Sequence, residues 1–241
     1  MDRLILPDIF DGCVNPFRNP EQGFFSNGVK AFFTKKSLGT DIKKISSILS
    51  IKKDNIFFPL QRHTDKVLVV ESDIEPKIAD GVVTEREGIL IGVQVADCVP
   101  IILFDRKKLI IGAVHAGWRG TAAQIIKKTI RSMVECFGSL PDDIAVALGP
   151  SIRWDCYHVN HEVKDAICKA TGYGNYYIEK SEGGYCVDLS SANMFQVLSL
   201  GVPEENIWSS HECTYCSPEE FYSYRYSKNL NGAQGGFIGI L

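Results

Sequence analysis

Pro100-Ile101-Ile102-Leu103-Phe104-Asp105-Arg106-Lys107-Lys108-Leu109-Ile110-Ile111-Gly112-Ala113-Val114 is the stretch on which the fold turns. Two short apolar runs flank the polar tetrad 105–108, which is the pattern of an antiparallel strand pair joined by a charged turn. A turn centred between Arg106 and Lys107 sets Cys98 directly across from His115 at the open end of the hairpin. Directly opposed residues share a face, with Cβ atoms about 4.5–5.5 Å apart. A thiol and an imidazole at that separation can share one metal ion, or act as a nucleophile and its base.

Upstream of the hairpin, segments 29–33, 56–60, 66–71, Gly81–Thr84 and Leu90–Val95 are short, rich in β-branched or aromatic residues, and bounded by turn formers. They read as strands. Downstream, 121–137 switches to helical period, with Ala122, Ile125, Ile126, Ile130, Met133, Val134 and Phe137 on one stripe and Gly138 past the end. Ile144–Leu148 reads as a strand, Asn160 as the cap of a helix reaching Ala170, and Asp188 or Ser190 as the cap of another reaching Leu200. The tail 221–241 returns to strand-like patterning. Strands early and helices late argue for α+β layers over a regular βαβ alternation. No repeat or linker interrupts the chain, so a single domain over 1–241 is expected.

Of 241 residues 45% are hydrophobic, and 26 basic against 29 acidic residues leave a net charge of −3. Phosphate-backbone binding wants a dense basic stripe, so nucleic acid is disfavoured as a partner. The start Met1-Asp2-Arg3-Leu4-Ile5-Leu6-Pro7-Asp8 lacks the form of a signal peptide, and the apolar region 88–104 is interrupted by Gln94, Asp97 and Pro100. A cytoplasmic protein with no membrane partner is expected. Its eight cysteines then read mostly as reduced, buried thiols instead of a disulfide framework.

Several blocks occur together and in order: Gln61-Arg62-His63, Ala79-Asp80-Gly81-Val82-Val83-Thr84, Ala96-Asp97-Cys98-Val99-Pro100-Ile101 and Val114-His115-Ala116-Gly117-Trp118-Arg119-Gly120. Leu148-Gly149-Pro150-Ser151-Ile152, Cys156-Tyr157, Cys213-Thr214-Tyr215-Cys216 and Phe221-Tyr222-Ser223-Tyr224-Arg225 follow. The set resembles the signature blocks of the laccase-domain (YfiH-type) family. That resemblance implies an α/β/β/α sandwich in which His63, Cys98 and His115 bind zinc. It also implies phosphorolysis of purine nucleosides, methylthioadenosine included, and deamination of adenosine, with purine nucleosides and inorganic phosphate as the small-molecule partners. Read alone, His63 is an ordinary surface or core histidine, 35 residues from Cys98, and its spacing does not place it.

Three protein ligands leave one tetrahedral position for water, the mark of a catalytic site. Metal binding lowers a water pKa from ~15.7 to ~7, which suits attack on C6 of adenine. Arg119 and Asp97 are the candidate catalytic residues. Gly117-Trp118-Arg119-Gly120-Thr121 leads into the expected helix, where free N–H groups and a guanidinium would hold phosphate or help fix the nucleoside; the alternative is an arginine pinning a turn to a carboxylate. Asp97, beside Cys98, reads as an acid/base, a support for the ligand, or a turn-stabilising carboxylate. His211, Cys213 and Cys216 form H-x-C-x-x-C, which lacks a fourth ligand for structural zinc.

Two departures from the family pattern bear on substrate preference: a short segment after Thr34, and Gly232-Ala233 where the family carries Gly-Arg. Three other functions compete. The family's older name suggests a copper-dependent polyphenol oxidase, but five histidines and three methionines poorly furnish a multicopper centre. A metal-free cysteine hydrolase, in line with the family's link to peptidoglycan quality control, uses Cys98 and His115 but leaves His63 idle. The third is a non-enzymatic scaffold with a structural metal.

Overall fold

Every residue of the strands Val99–Asp105 and Ile110–Ala116 is buried, which explains why both read as continuous apolar runs instead of alternating ones. Val99, Ile101, Leu103, Ile110 and Val114 pack on one side with residues of the later helices, among them Ile126, Ile130 and Met133. Ile102, Phe104, Ile111 and Ala113 pack on the other side against Phe33, Ile91, Val93 and Ile238. The hairpin is therefore the centre of a layered α+β structure. The computed structural model describes residues 17–18, 28–71, 75–181, 183–229 and 231–241; the start 1–8 and Cys13, on which expectations were placed above, lie outside them.

The hairpin's sheet has six strands, in spatial order Ile207–Ser209, Ile144–Leu148, Val99–Asp105, Ile110–Ala116, Gly81–Thr84 and Val67–Val69. The facing sheet has five: Phe17–Arg18, Val29–Thr34, Gln234–Ile240, Leu90–Val95 and Ile56–Phe57. Helix Ile42–Leu49, capped by the Asp41 side chain, buries Ile45 with Phe32, Leu90 and Phe237 on the outer side of this second sheet. Helices Ile125–Phe137 and Leu189–Leu198 cover the outer side of the first. The layers run α/β/β/α, as the resemblance implied. A small third sheet, His158–Val159, Tyr185–Val187 and Tyr177–Glu179, was not anticipated. Among the described residues no helix is long and apolar enough to cross a membrane.

The hairpin register differs from the sequence expectation. Asp105 pairs with Ile110 and Pro100, not Cys98, with His115. Asp105 Oδ1 accepts the N–H groups of Lys107 and Lys108 at 2.9 Å each, and Leu109 N donates to Asp105 O at 2.9 Å. The loop thus holds four residues, with Leu109 in the left-handed region at φ 57°. A charged tetrad marks the turn but not the extra residue that closes it.

The expected helix 121–137 is two helices, Trp118–Ala122 and Ile125–Phe137, broken where Gln124 takes φ 61°. Gln124 Nε2 donates to Ala170 O at 2.6 Å, a long-range contact that local periodicity does not register. Val134, placed on the apolar stripe, is exposed. Asn160 and Asp188 cap their helices as read, accepting from Val163 N and Ser191 N. Within the tail, Tyr224–Ser227 is a short helix ahead of the final strand Gln234–Ile240. Of the seven described cysteines only Cys186 is buried, so the expectation of mostly buried thiols fails.

Candidate metal centre

Asp80 organises the site, and it does so from full burial just before strand Gly81–Thr84. Its Oδ1 accepts from His115 Nδ1 at 2.7 Å and from the His63 backbone N–H at 3.0 Å. Its Oδ2 accepts from Thr64 N at 2.6 Å, Thr64 Oγ1 at 2.7 Å and Arg62 N at 3.2 Å. One carboxylate thus fixes the ring of one histidine and the backbone of another. His63 is held at φ 57°, a conformation that such a clamp can impose on a non-glycine residue. Burial works to raise the Asp80 carboxyl, but the bonds from His115, Thr64 and Arg62 outweigh it and hold the group well below the usual carboxylate range.

With Nδ1 committed to Asp80, His115 presents Nε2. The ligating atoms of His63, Cys98 and His115 lie within 4.8 Å of one another. Cys98 Sγ is 4.0 Å from His63 Nε2, and the two imidazole rings meet edge to face at 4.7 Å. Burial pushes the Cys98 thiol up, yet His115 and His63 more than reverse this and bring it to about 6. His115 is pulled down by burial and raised further by Cys98 and Asp80, to about 9. The site therefore favours a thiolate. Two imidazoles and a thiolate suit a four-coordinate divalent ion, and the carboxylate behind His115 is the usual outer support of such a ligand.

Gly117 completes the arrangement. A Cβ there would lie 2.9 Å from Cys98 Sγ and 3.1 Å from His63 Cδ2. Gly117→Ala is expected to displace both donors and weaken metal binding about 10–100-fold, the range for disturbing a ligand's support; zinc competition against a chromophoric chelator reads it out, and unchanged affinity would remove the packing argument.

His63, Cys98 and His115 form part of the wall of a cavity of about 530 Å³, with Gln61, Gln94, Asp97, Trp118, Arg119, Ile152, Tyr157, Leu189, Arg225 and Ala233 among its other lining residues. The Arg119 guanidinium lies over the Trp118 ring at 4.4 Å. Among the described residues no carboxylate pairs with it in a salt bridge, so the turn-pinning alternative lacks its partner. The helix it belongs to has only five residues, however, so the long-helix dipole expected behind it is not there.

Asp97, at φ 87°, accepts from Thr214 Oγ1 and from Arg225 N, each at 2.7 Å. With both oxygens engaged, it holds the turn that carries Cys98 against the 214–225 segment. Sequence reasoning named neither Asp80, Gly117, Tyr157 nor Arg225 as site residues, although each stands inside a quoted block. The short segment after Thr34 touches the lining residue Gln94 through Thr40, whose hydroxyl accepts from Gln94 Nε2 at 3.3 Å.

Residues 34–241 match the family described as multi-copper polyphenol oxidoreductase laccase, and the chain belongs to that family. It is 37% identical to "Adenosine deaminase RL5" of an unknown prokaryotic organism over 189 residues, 73% of this chain and 72% of that protein. It is 33% identical to "Purine nucleoside phosphorylase CA_C1699" of Clostridium acetobutylicum over 213 residues, 88% and 87% of the two chains. The crystal structure of YlmD from Geobacillus stearothermophilus matches with a TM-score of 0.87 at 28% identity, covering 97% of this chain and 99% of that one. The family and fold that the sequence blocks pointed to are thus those of the protein.

Proposed function

We propose that the chain is a zinc-dependent purine nucleoside phosphorylase that also deaminates adenosine and accepts methylthioadenosine, with His63, Cys98 and His115 as the zinc ligands. The observation that carries this reading is the convergence of those three donors on the wall of a cavity that also presents Arg119 and Arg225. Two relatives bearing the names of the two activities support it.

In phosphorolysis a phosphate oxygen bonds to C1′ while the C1′–N9 bond breaks and the purine leaves with a proton. In deamination water adds at C6 and ammonia departs. Zinc in the triad would supply Lewis acidity toward the charge that develops. Arg119, stiffened by its stack on Trp118, and Arg225, placed over the Tyr157 ring at 5.2 Å, are the groups able to hold phosphate. Trp118, Ile152 and Leu189 offer the apolar surface that a purine needs. Asp97 acts as a positioning residue for Cys98.

Arg119→Lys keeps the charge but loses the planar fork. The KM for phosphate is expected to rise about tenfold, ~1.4 kcal/mol, with adenosine deamination little changed. An unchanged phosphate KM would withdraw Arg119 from that role. The whole reading is tested by incubating zinc-loaded protein with adenosine, with and without phosphate. Adenine formed only with phosphate and inosine formed in both are the expected products; no turnover of any purine nucleoside overturns it.

One observation favours a second reading. Asp80, His115 and Cys98 stand in the order orienting group, base and nucleophile of a cysteine hydrolase. That reading gives His63 no task. Activity lost to thiol alkylation but indifferent to chelators would favour it. For the copper reading the support is thin: of five histidines only His63 and His115 join a donor cluster among the described residues, and no methionine lines the cavity. Metal analysis of protein purified without added copper separates the two.

A further inference from the structure

The sequence motif H-x-C-x-x-C points to His211 as the partner of Cys213 and Cys216, but the structure brings a different donor to them. Cys156, 60 residues before Cys216, places its Sγ 3.3 Å from that thiol. The Sγ atoms of Cys156, Cys213 and Cys216 all lie within 4.8 Å of one another, and His211 is not in the group. We propose that these three cysteines form a second site, separate from the His63–Cys98–His115 cluster, that binds one thiophilic metal ion, Zn²⁺ or Cu⁺, and clamps together the two loops behind one wall of the cavity.

The local backbone is built for such a role. Cys213 and Cys216, separated by two residues, sit on a tight turn in which Ser217 N donates to Cys213 O at 3.2 Å, so that both thiols of a C-x-x-C pair lie on one turn. Arg153 N donates to Cys213 Sγ at 3.4 Å, an N–H···S bond of the kind that steadies a metal-bound thiolate. Cys156 enters from the adjacent turn, where its own N–H donates to Arg153 O at 2.9 Å.

A bound cation would hold the three sulfurs as thiolates. Three soft donors, with no fourth His, Cys, Asp or Glu ligand atom grouped with them within 4.8 Å among the described residues, suit Cu⁺, or Zn²⁺ with one position open to solvent beside the exposed Cys216. A disulfide between Cys156 and Cys216 would instead leave Cys213 without a function.

The placement gives the site a consequence. The two loops already meet through the Ser151–Cys213 bridge and the bond from Thr214 N to Ser151 O at 3.1 Å. Tyr157, next to Cys156, lines the cavity, and Thr214, next to Cys213, bonds Asp97. A metal on the three sulfurs therefore stiffens the wall that positions Cys98 from behind.

The test uses a full-length Cys98→Ala variant, in which any metal–thiolate signal must come from elsewhere. Titrated with Co²⁺, it is expected to bind one equivalent with thiolate-to-cobalt charge-transfer absorption. That absorption should vanish in Cys98→Ala/Cys216→Ser. Zn²⁺ and Cu⁺, each titrated against a chromophoric chelator, then identify the preferred ion. If Cys98→Ala does not fold, the parent protein should bind two equivalents of Zn²⁺ or Cu⁺, and Cys216→Ser one. No charge transfer in Cys98→Ala, equal stoichiometry in parent and Cys216→Ser, or a Cys156–Cys216 disulfide in the purified protein each overturns the proposal.

Discussion

Asp80→Ala is expected to lose about 3–5 kcal/mol of stability, the cost of removing one member of a buried, hydrogen-bonded charged group. At about 2–4 °C per kcal/mol for a chain of this size, the Tm should fall by roughly 6–20 °C. The reason lies in what would be left behind. Asp80 is fully buried and accepts five hydrogen bonds, from Arg62, His63, Thr64 twice and His115. Alanine strands three backbone N–H groups and leaves His115 Nδ1 without its acceptor. Asp80→Asn separates stability from ligation: it keeps the shape but turns one acceptor into a donor facing groups that themselves donate. It should lose less stability, while zinc affinity still falls about 10–100-fold because His115 is no longer held in the ligating tautomer. Urea midpoints and zinc competition measure both quantities. A normal midpoint together with normal zinc affinity in Asp80→Ala would remove Asp80 from the centre of the site.

The layers of the fold were legible because their cause is local. Strands Gly81–Thr84, Leu90–Val95 and Ile144–Leu148 have the bounds that β-branched runs and flanking turn residues suggest. Caps Asn160 and Asp188 were readable because a side chain bonding an N–H three residues on leaves a sequence mark. Misreadings arose where long-range contacts decide geometry. The break at Gln124 depends on Ala170, and the four-residue hairpin loop depends on Leu109 accepting a left-handed conformation. Tyr224–Ser227 reads as strand by its aromatics, but Ser223 caps it as a helix by accepting from Tyr226 N.

The site was legible in a more uneven way. Counting across the hairpin brought Cys98 near His115 even though the assumed register is off by two positions: Pro100 faces His115, and Cys98 lies beyond the paired strands, near Gly117. No periodicity could bring in His63; only the family blocks did. Asp80 went unnamed because an aspartate before a strand has many ordinary uses, and its five donors come from segments 16 to 35 residues away. Cys156 was missed for the same reason, since its partner lies 60 residues on.

His63→Ala, Cys98→Ala and His115→Ala are each expected to lose zinc and reduce nucleoside turnover to background, but their stabilities should differ in a way that identifies the roles. His115 is 4% exposed and donates to Asp80, so its removal leaves a buried acceptor short of one partner, at about 1–3 kcal/mol. Cys98 is partly exposed, and alanine there removes one sulfur without stranding a hydrogen-bonding group of the Asp80 network. His63 meets Asp80 through its backbone N–H, which alanine retains, and its residue is exposed. The Cys98 and His63 variants should therefore keep a near-parental Tm in the metal-free form while losing one bound zinc each. His63→Ala carries the most information. A cysteine nucleophile paired with His115 has no need of the His63 ring, so that chemistry would survive the substitution. A metal held by three donors loses a third of its protein ligands. Full activity in a zinc-free His63→Ala protein would end the metal reading and leave the Asp80–His115–Cys98 row as the catalytic unit.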